Sequence, residues 1–327
     1  MPSPHIIDVS EEICERLKAM KRQERDYMIP DYLSPEFQAT VSESPSSNND
    51  AVAASVSSFG PTVEWRNKIC EWCYNFVDHC DLARGSVSVA MNILDRFVST
   101  QQVNGKTYTF AAMTALHIGI KLQCQYKISL KRLLRLCGGG FSVDEVESME
   151  MTMLDALSWR VHPPTALDFC AELIDSSFTE TAPTVLEDLQ GFARYFTELA
   201  VLDSFFIARK PSTMAMAAIM YAMELTFKRV DPRDKVCFFS TASRIGIDVS
   251  DREVDQCLER MRSLYKSNFE CEEEGFVGEL EERGSPVCVE ELTDTTASKK
   301  RKRVVTNDDG RLVTEHGEEI ASCRWPV

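Results

Sequence analysis

The sequence is poor in basic charge: 36 Lys and Arg stand against 51 Asp and Glu, a net charge of −15. A nucleic-acid binder carries a basic face, so direct nucleic-acid binding is not expected. Long apolar runs are missing too. The longest near-apolar stretch, Thr107 to Ile120, is shorter than the ~20 residues a bilayer span needs, and no membrane association is expected. No sustained period-2 alternation occurs, which excludes a β-rich fold. Only 5 histidines are scattered along the chain, and none pairs convincingly with a nucleophile. Gly138-Gly-Gly lacks the strand and lysine of a phosphate loop, so the chain is not read as an enzyme. At the N-terminus, Met1-Pro-Ser-Pro-His shows no basic region leading into an apolar run, and no signal peptide is expected.

Cysteine is plentiful, 12 in all, but it falls within apolar periodic segments, where a free thiol behaves as a small hydrophobe. A reducing compartment follows. Cys70-Glu-Trp-Cys73, with His79 and Cys80, invites a zinc reading. All of it lies in one helical stretch without a second ligand pair, so no metal or cofactor is expected. His117, inside a buried segment, is read as a satisfied core residue.

With 327 residues, the chain is long enough for more than one core. Residues 1–61 hold a helical patch from Ser10 to Arg25, with Ser10 as candidate N-cap, and a Ser/Asn/Pro-rich linker from Ser34 to Pro61. Ser44-Pro45 there reads as an ordinary pair in a flexible stretch. From Thr62 the 3.6-residue period sets in, with helices expected at Thr62–Cys80, Ser86–Thr100, Lys106–Lys121, Ser129–Cys137 and Val143–Leu157. Ser142 and Glu145 form a capping box for the last of these. Beyond Pro163-Pro164, helices are expected at Thr165–Ile174, Leu186–Asp203, Ser212–Phe227, Phe238–Ile245 and Ser250–Phe269.

The segment Lys106–Lys121 organises this pattern. It is apolar or small all round, as in the central helix of a bundle, and Ala111, Ala112, Ala115 and Gly119 line a side where a neighbour can come close. Shifting by 104 residues lays Lys106 on Lys210, Thr109 on Thr213 and Ala111 on Ala215, so residues 62–162 and 163–269 read as two copies of one bundle. Lys121 maps onto Leu225, so the lysine belongs to the first copy alone. Residues 270–327 form an acidic tail interrupted by Lys299, Lys300, Arg301, Lys302 and Arg303.

Four charges interrupt apolar faces: Arg66, Asp95, Lys121 and Glu150. Arg66 and Asp95 flank a turn centred near residue 81 at about equal distance, so an antiparallel hairpin sets them at one height as a bracing ion pair. Lys121 and Glu150 either pair internally or await a partner's charges; the residues alone favour the internal pair.

Trp65-Arg-Asn-Lys-Ile-Cys-Glu-Trp72, Met91-Asn-Ile-Leu-Asp-Arg-Phe-Val-Ser99, Ile118-Gly-Ile-Lys121, Ser148-Met-Glu150 and Leu157-Ser-Trp-Arg-Val-His-Pro-Pro-Thr165 resemble, in order and spacing, the cyclin box. The likeness extends weakly through the second copy to about residue 268. It implies an all-α fold of two tandem five-helix boxes, the first kinase-binding and the second degenerate. It also implies a regulatory subunit that binds a cyclin-dependent protein kinase and activates it allosterically by pushing on its regulatory helix. On that resemblance Lys121, Glu150 and the adjoining Leu122 contact the kinase, Arg66 and Asp95 brace the box, and Trp65, Ile69 and Trp72 form a patch docking substrates or inhibitors.

There are departures from the family pattern. Leu122-Gln-Cys124 replaces an acidic pair, Phe110 replaces leucine, and Asn67 and Lys68 stand where small and apolar residues are usual. Trp159-Arg-Val-His and the second helix lean towards G1-type, D-like cyclins and a role at G1/S. The competing readings are a transcription-linked adaptor of the same fold and a scaffold that no longer activates a kinase.

The basic cluster reads as a signal for an import receptor and places the chain in the nucleus, with shuttling to the cytoplasm. Changing Lys299, Lys300, Arg301, Lys302 and Arg303 to alanine in a fluorescent fusion is expected to abolish nuclear accumulation; a fusion as nuclear as the parent excludes this signal.

Overall fold

The structure, a computed structural model, describes residues 9–42, 61–101, 103–124, 128–137, 140–226, 229–270, 304–306 and 312–314. The basic cluster at 299–303, the Ser44-Pro45 pair and most of the acidic tail lie outside them. Twelve α-helices make up the described fold. The first box comprises α3 (Val63–His79), α4 (Gly85–Thr100), α5 (Gly105–Gln123), α6 (Leu130–Leu136) and α7 (Val143–Ala156), following the N-terminal helices α1 (Val9–Gln23) and α2 (Pro35–Ser42). The second box comprises α8 (Ala166–Ser177), α9 (Pro183–Leu202), α10 (Pro211–Leu225), α11 (Pro232–Arg244) and α12 (Arg252–Glu270). A short antiparallel pair, β1 (Val304–Thr306) and β2 (Leu312–Thr314), is the one exception to the all-α pattern among the described residues.

The helix starts are chemically specified. Thr62, Asn104 and Ser129 each accept a hydrogen bond from the backbone N–H three residues on, which satisfies one of the four orphan donors of a helix N-terminus. Full capping boxes open α7 (Ser142 with Glu145, as expected) and α8 (Thr165 with Asp168). In the second box, Pro183, Pro211 and Pro232 occupy the first helical position, where the missing N–H costs nothing. Two of these prolines correct the expected boundaries. Helix α9 begins before Leu186, and α11 begins before Phe238, because Asp231 accepts from the Arg233 N–H and starts the helix there.

Two apolar clusters form the core, one per box. At the centre of the first is α5, buried without a break from Ala111 to Ile120. Its small-residue side faces α4: a Cβ on Gly119 would lie 2.6 Å from the Ser86 carbonyl oxygen and 3.2 Å from the Ala90 nitrogen. Both are backbone atoms of a neighbouring helix, so the crossing tolerates no side chain at 119. The counterpart α10 is likewise buried from Ala215 to Ile219.

The N-terminal segment differs most from expectation. Its helix already begins at Val9, so Ser10 lies inside α1 and not at its cap. The stretch read as linker from Ser34 starts with α2, whose Phe37 packs on the first core. Leu17 of α1 is fully buried in the second core, while Tyr32 and Leu33 belong to the first. Between them, the carboxylate of Glu24 accepts from Ser212 N (2.9 Å) and Ser212 Oγ (2.8 Å) at the start of α10. Burial pushes the Glu24 pKa up, and the two hydrogen bonds oppose that shift without cancelling it. The segment thus fastens to both boxes.

Gly119→Val is expected to force α4 and α5 apart and to lower the unfolding free energy by roughly 1–3 kcal/mol. Urea denaturation followed by far-ultraviolet circular dichroism checks this; an unchanged midpoint would mean that the crossing is loose.

Candidate functional site

Arg66 lies in the first turn of α3 and Asp95 in the second half of α4. The helices run antiparallel across the turn that follows Cys80, so the side chains meet inside the hairpin. Arg66 Nε donates to both Asp95 oxygens (3.1 and 3.3 Å) and Nη2 donates to Oδ2 at 2.9 Å. The two side chains are only 4% and 6% exposed, which makes this a fully desolvated pair. Burial works against the Arg66 charge, but the adjacent Asp95 carboxylate outweighs it and raises the guanidinium pKa.

More than the two expected partners converge here. The Tyr32 hydroxyl donates to Asp95 Oδ1 at 2.8 Å; burial first and Asp95 second hold it well above the ordinary tyrosine range, so it stays a donor. Arg66 Nη1 reaches across to the last carbonyls of α9, Val201 O at 2.9 Å and Leu202 O at 3.3 Å. A cation there also meets the negative end of that helix dipole. With its amide nitrogen turned towards them, Asn67 donates to Leu202 O (3.0 Å) and Val63 O (3.2 Å). That gives the unusual asparagine at 67 a structural reason: it adds a second link between the boxes.

Lys121 and Glu150 also meet. The Lys121 ammonium donates to Glu150 Oε1 across α5 and α7, with side chains 35% and 16% exposed. Exposure separates the two pairs energetically. Exposed pairs are worth about 0–1 kcal/mol, whereas removing one member of a buried pair costs roughly 3–5 kcal/mol, and the Lys121–Glu150 pair lies between these limits. The Lys121–Glu150 contact is therefore easier to open than the Arg66–Asp95 pair, and the lysine is the more accessible of its two charges.

Large apolar side chains near these two residues in the chain are exposed. Leu122 is 37% exposed, Met151 49% and Trp159 60%. Trp159 Nε1 donates to Asp155 Oδ1 at 3.2 Å, which lays the indole beside the turn of α7 that follows Met151. The backbone there is unusual: Ser158 and Trp159 have φ of 52° and 61°, a left-handed conformation that non-glycine residues seldom adopt. Such strain clusters where function holds a side chain in place. The pattern of the sequence does not single out Met151 or Trp159 as site residues, because helical period does not tell an apolar residue left outside from one turned in.

One turn before Lys121, His117 is buried as expected. Its Nδ1, however, has no hydrogen-bond partner among the described residues, so it is not the satisfied core histidine expected. Burial and the nearby Lys121 charge lower its pKa, with Glu150 opposing, and the ring is neutral at pH 7.

The patch expected at Trp65, Ile69 and Trp72 is not a surface. Ile69 is 2% exposed and Trp72 6%, while the half-buried Trp65 ring packs on Tyr108 with 6.2 Å between centroids. Three- and four-residue spacing of large apolar residues is the signature of a core-facing stripe, and α3 turns that stripe inward with Cys70, Cys73, Phe76 and Val77. Cys70 and Cys73 lie deep in that core, where burial pushes the Cys70 thiol up to about 12. No cluster of His, Cys, Asp or Glu suited to a metal ion occurs among the described residues. Lys68, the other departure, pairs on the surface with Glu64 at 2.9 Å.

The paired five-helix bundles, joined at a proline pair and braced by a buried Arg–Asp contact, define a class of double-box helical proteins. Comparison with known proteins places the chain within it. Residues 37–162 match the family described as cyclin, N-terminal domain, and residues 164–276 match cyclin, C-terminal domain. The chain belongs to the cyclin family. It is 23% identical over 161 residues to Cyclin-B1-1 of Oryza sativa subsp. japonica, covering 49% of this chain and 35% of that protein. It is 28% identical over 163 residues to human Cyclin-O, covering 49% and 47%. The chain thus spans less than half the length of these relatives, and neither is a D-type cyclin. A viral cyclin from herpesvirus saimiri shares the fold, with a TM-score of 0.52 at 18% identity over 76% of this chain and 99% of that one.

Asp95→Ala leaves a buried guanidinium without its carboxylate and is expected to cost roughly 3–5 kcal/mol of unfolding free energy. The double variant Arg66→Met/Asp95→Leu should recover part of that, falling short because the Val201 and Leu202 carbonyls lose their donor. A loss below about 1 kcal/mol for Asp95→Ala would show that the brace carries little stability.

Proposed function

We propose that this chain is the regulatory subunit of a cyclin-dependent Ser/Thr protein kinase and that it performs no chemistry itself. The supporting observation is the composition of the region where the end of α5 meets the middle of α7. There the part-exposed Lys121–Glu150 pair is followed in the chain by exposed Leu122 after the lysine and by exposed Met151 and Trp159 after the glutamate. Such a patch suits an amphipathic helix carrying both signs of charge. Its apolar residues meet these side chains and its polar ends exchange partners with Lys121 and Glu150. Trading one part-exposed internal contact for two intermolecular ones costs less than opening a buried pair, so the face is preorganised for binding.

Activation on this reading is mechanical. The partner's regulatory helix, seated on a rigid box, is held in the position where its glutamate completes the ion pair that aligns ATP phosphates for transfer. The rigidity comes from the brace behind the face, since Arg66 and Asp95 fix the α3–α4 hairpin against which α5 packs. The process served is cell-cycle progression. A G1/S role is its finer form and rests on the Leu94-Asp95-Arg96-Phe97 and Trp159–His162 segments.

Nuclear localisation through an import receptor, drawn from the basic cluster at 299–303, belongs to the same proposal. No helix among the described residues is long and apolar enough to cross a membrane. Substrate or inhibitor docking through the first helix is not carried forward, because Ile69 and Trp72 are buried.

Pull-down from cell extract tests the reading. The parent chain is expected to recover a protein kinase active on histone-type substrates. Lys121→Ala/Glu150→Ala and Trp159→Ala should each lower recovery roughly tenfold or more, the range of interface hot spots. Equal recovery by all three moves the interface elsewhere. Recovery of kinase protein without activity favours the scaffold.

A further inference from the structure

Arg96, in the second half of α4, is a buried cation without a countercharge. It is 8% exposed, and among the described residues no carboxylate pairs with it. Its guanidinium instead donates from Nη1 to the Arg160 carbonyl at 2.5 Å and lies over the Tyr27 ring, 4.7 Å from the centroid. Burial lowers the Arg96 pKa and the Arg160 cation adds to that, while Tyr27 opposes. A charge kept out of water on these terms is costly, and an apolar side chain of similar volume would avoid the cost. Arg96 therefore has a task beyond filling space.

The carbonyl it holds belongs to the residue after Trp159. Helix α7 ends in a turn whose Ser158 and Trp159 are left-handed, with φ of 52° and 61°. Local backbone bonds fix the amides of this turn: Ser158 N–H donates to Asp155 O at 3.0 Å, Trp159 N–H to Leu154 O at 2.8 Å and Arg160 N–H to Leu157 O at 3.1 Å. All three point back into α7, so they define how the chain enters the turn. The exit is the Arg160 carbonyl, and its donor comes from another helix. Non-glycine residues stay left-handed where their surroundings over-determine the backbone, and Arg96 supplies the tertiary part of that constraint.

The segment preceding the first box completes the grip. Besides the Tyr27 ring on Arg96, Asp26 pairs with Arg160 at 3.4 Å, and Gln23 Nε2 donates to the His162 carbonyl at 3.2 Å. The Asp26 contact is more than half exposed on both sides and the Gln23 bond is a surface one, so neither fixes the turn as firmly as the buried Arg96 bond does.

We propose that Arg96 is the positioning residue for Trp159: through the Arg160 carbonyl it fixes the exit of the left-handed turn, and with it the attitude of the indole that meets the partner kinase. The link to the kinase rests on the function proposed above; the link between Arg96 and Trp159 does not. An Arg96 that only braced the box would affect the whole first core alike and would act independently of Trp159.

Two measurements on the full-length chain separate these cases. The first uses 5-fluorotryptophan labelling and fluorine NMR, with Trp159→Phe assigning the Trp159 signal. Arg96→Met is expected to shift or broaden that signal while the signals of Trp65 and Trp72, which pack in the first box, stay in place. Where Arg96→Met fails to fold, Arg96→Lys, with one ammonium in place of the guanidinium fork, should give the same selective change in smaller degree. The second is kinase recovery by pull-down. Arg96→Met should lower recovery roughly threefold in the parent and cause no further loss in a Trp159→Ala background, as residues acting through one another do. The proposal is overturned if the Trp159 signal stays put or moves only together with those of Trp65 and Trp72, or if the two losses in recovery simply multiply. Recovery that Trp159→Ala leaves unchanged would overturn the kinase face at that residue, and the fluorine signal would still decide the role of Arg96.

Discussion

The buried contact between Arg66 and Asp95 is the constraint on which the rest of this molecule depends. Two opposite charges taken fully out of water are tolerable only if their polar atoms are met, and here every Arg66 nitrogen and both Asp95 oxygens have a partner. The partners come from α3, α4, the N-terminal segment and the end of α9. Changing the height of α3 against α4, the approach of Tyr32 or the angle of the second box would break at least one of these bonds. The contact sets geometry more than it adds stability, since an apolar pair of similar volume can fold as well. Its value lies in allowing only one arrangement.

The two ion pairs of the first box show how burial sorts like chemistry into unlike roles. Both join a basic residue to an acidic one across neighbouring helices. One is closed off and multiply bonded, and the other stands at the rim of the box with a third of its lysine side chain in solvent. The sequence treats them alike, as charges set in apolar runs. That they differ follows from position: Arg66 in the first turn of α3 meets the last carbonyls of α9, while Lys121 at the end of α5 meets Glu150 and solvent. The second box carries Leu225 where the first has Lys121, 37% exposed and without charge, so the repeat duplicates the scaffold and not the face.

Much of the fold could be read from the residues because its signals are local. The 3.6-residue period, the Ser142–Glu145 box and the continuous apolar run of α5 each need only neighbouring positions. Legibility fails where a local pattern has two tertiary outcomes. Trp65, Ile69 and Trp72 have the spacing of a stripe whether it faces a core or a ligand, and only the packed structure turns Ile69 and Trp72 inward. Trp159 is the converse case: an aromatic residue after a helix end that the left-handed backbone turns outward. Apolar context places His117 correctly in the core, yet its missing partner depends on what the neighbouring helices bring opposite it. The same limit hides α2, a short helix of weak amphipathicity whose Phe37 finds the first core from outside the bundle.

The path of the N-terminal segment carries a consequence for how the molecule responds to stress. Leu17 sits in one core and Tyr32 in the other, with Glu24 fastening the stretch between them to the head of α10. Two bundles sharing only a proline linker and a few polar contacts are weakly coupled in melting. A strap anchored in both makes the loss of either core release contacts in the other, so thermal unfolding becomes one cooperative event. The residues preceding the first box thus act as a thermodynamic coupling beside the Arg66 bonds to the end of α9, and a nick between Leu17 and Tyr32 would weaken the coupling of the boxes.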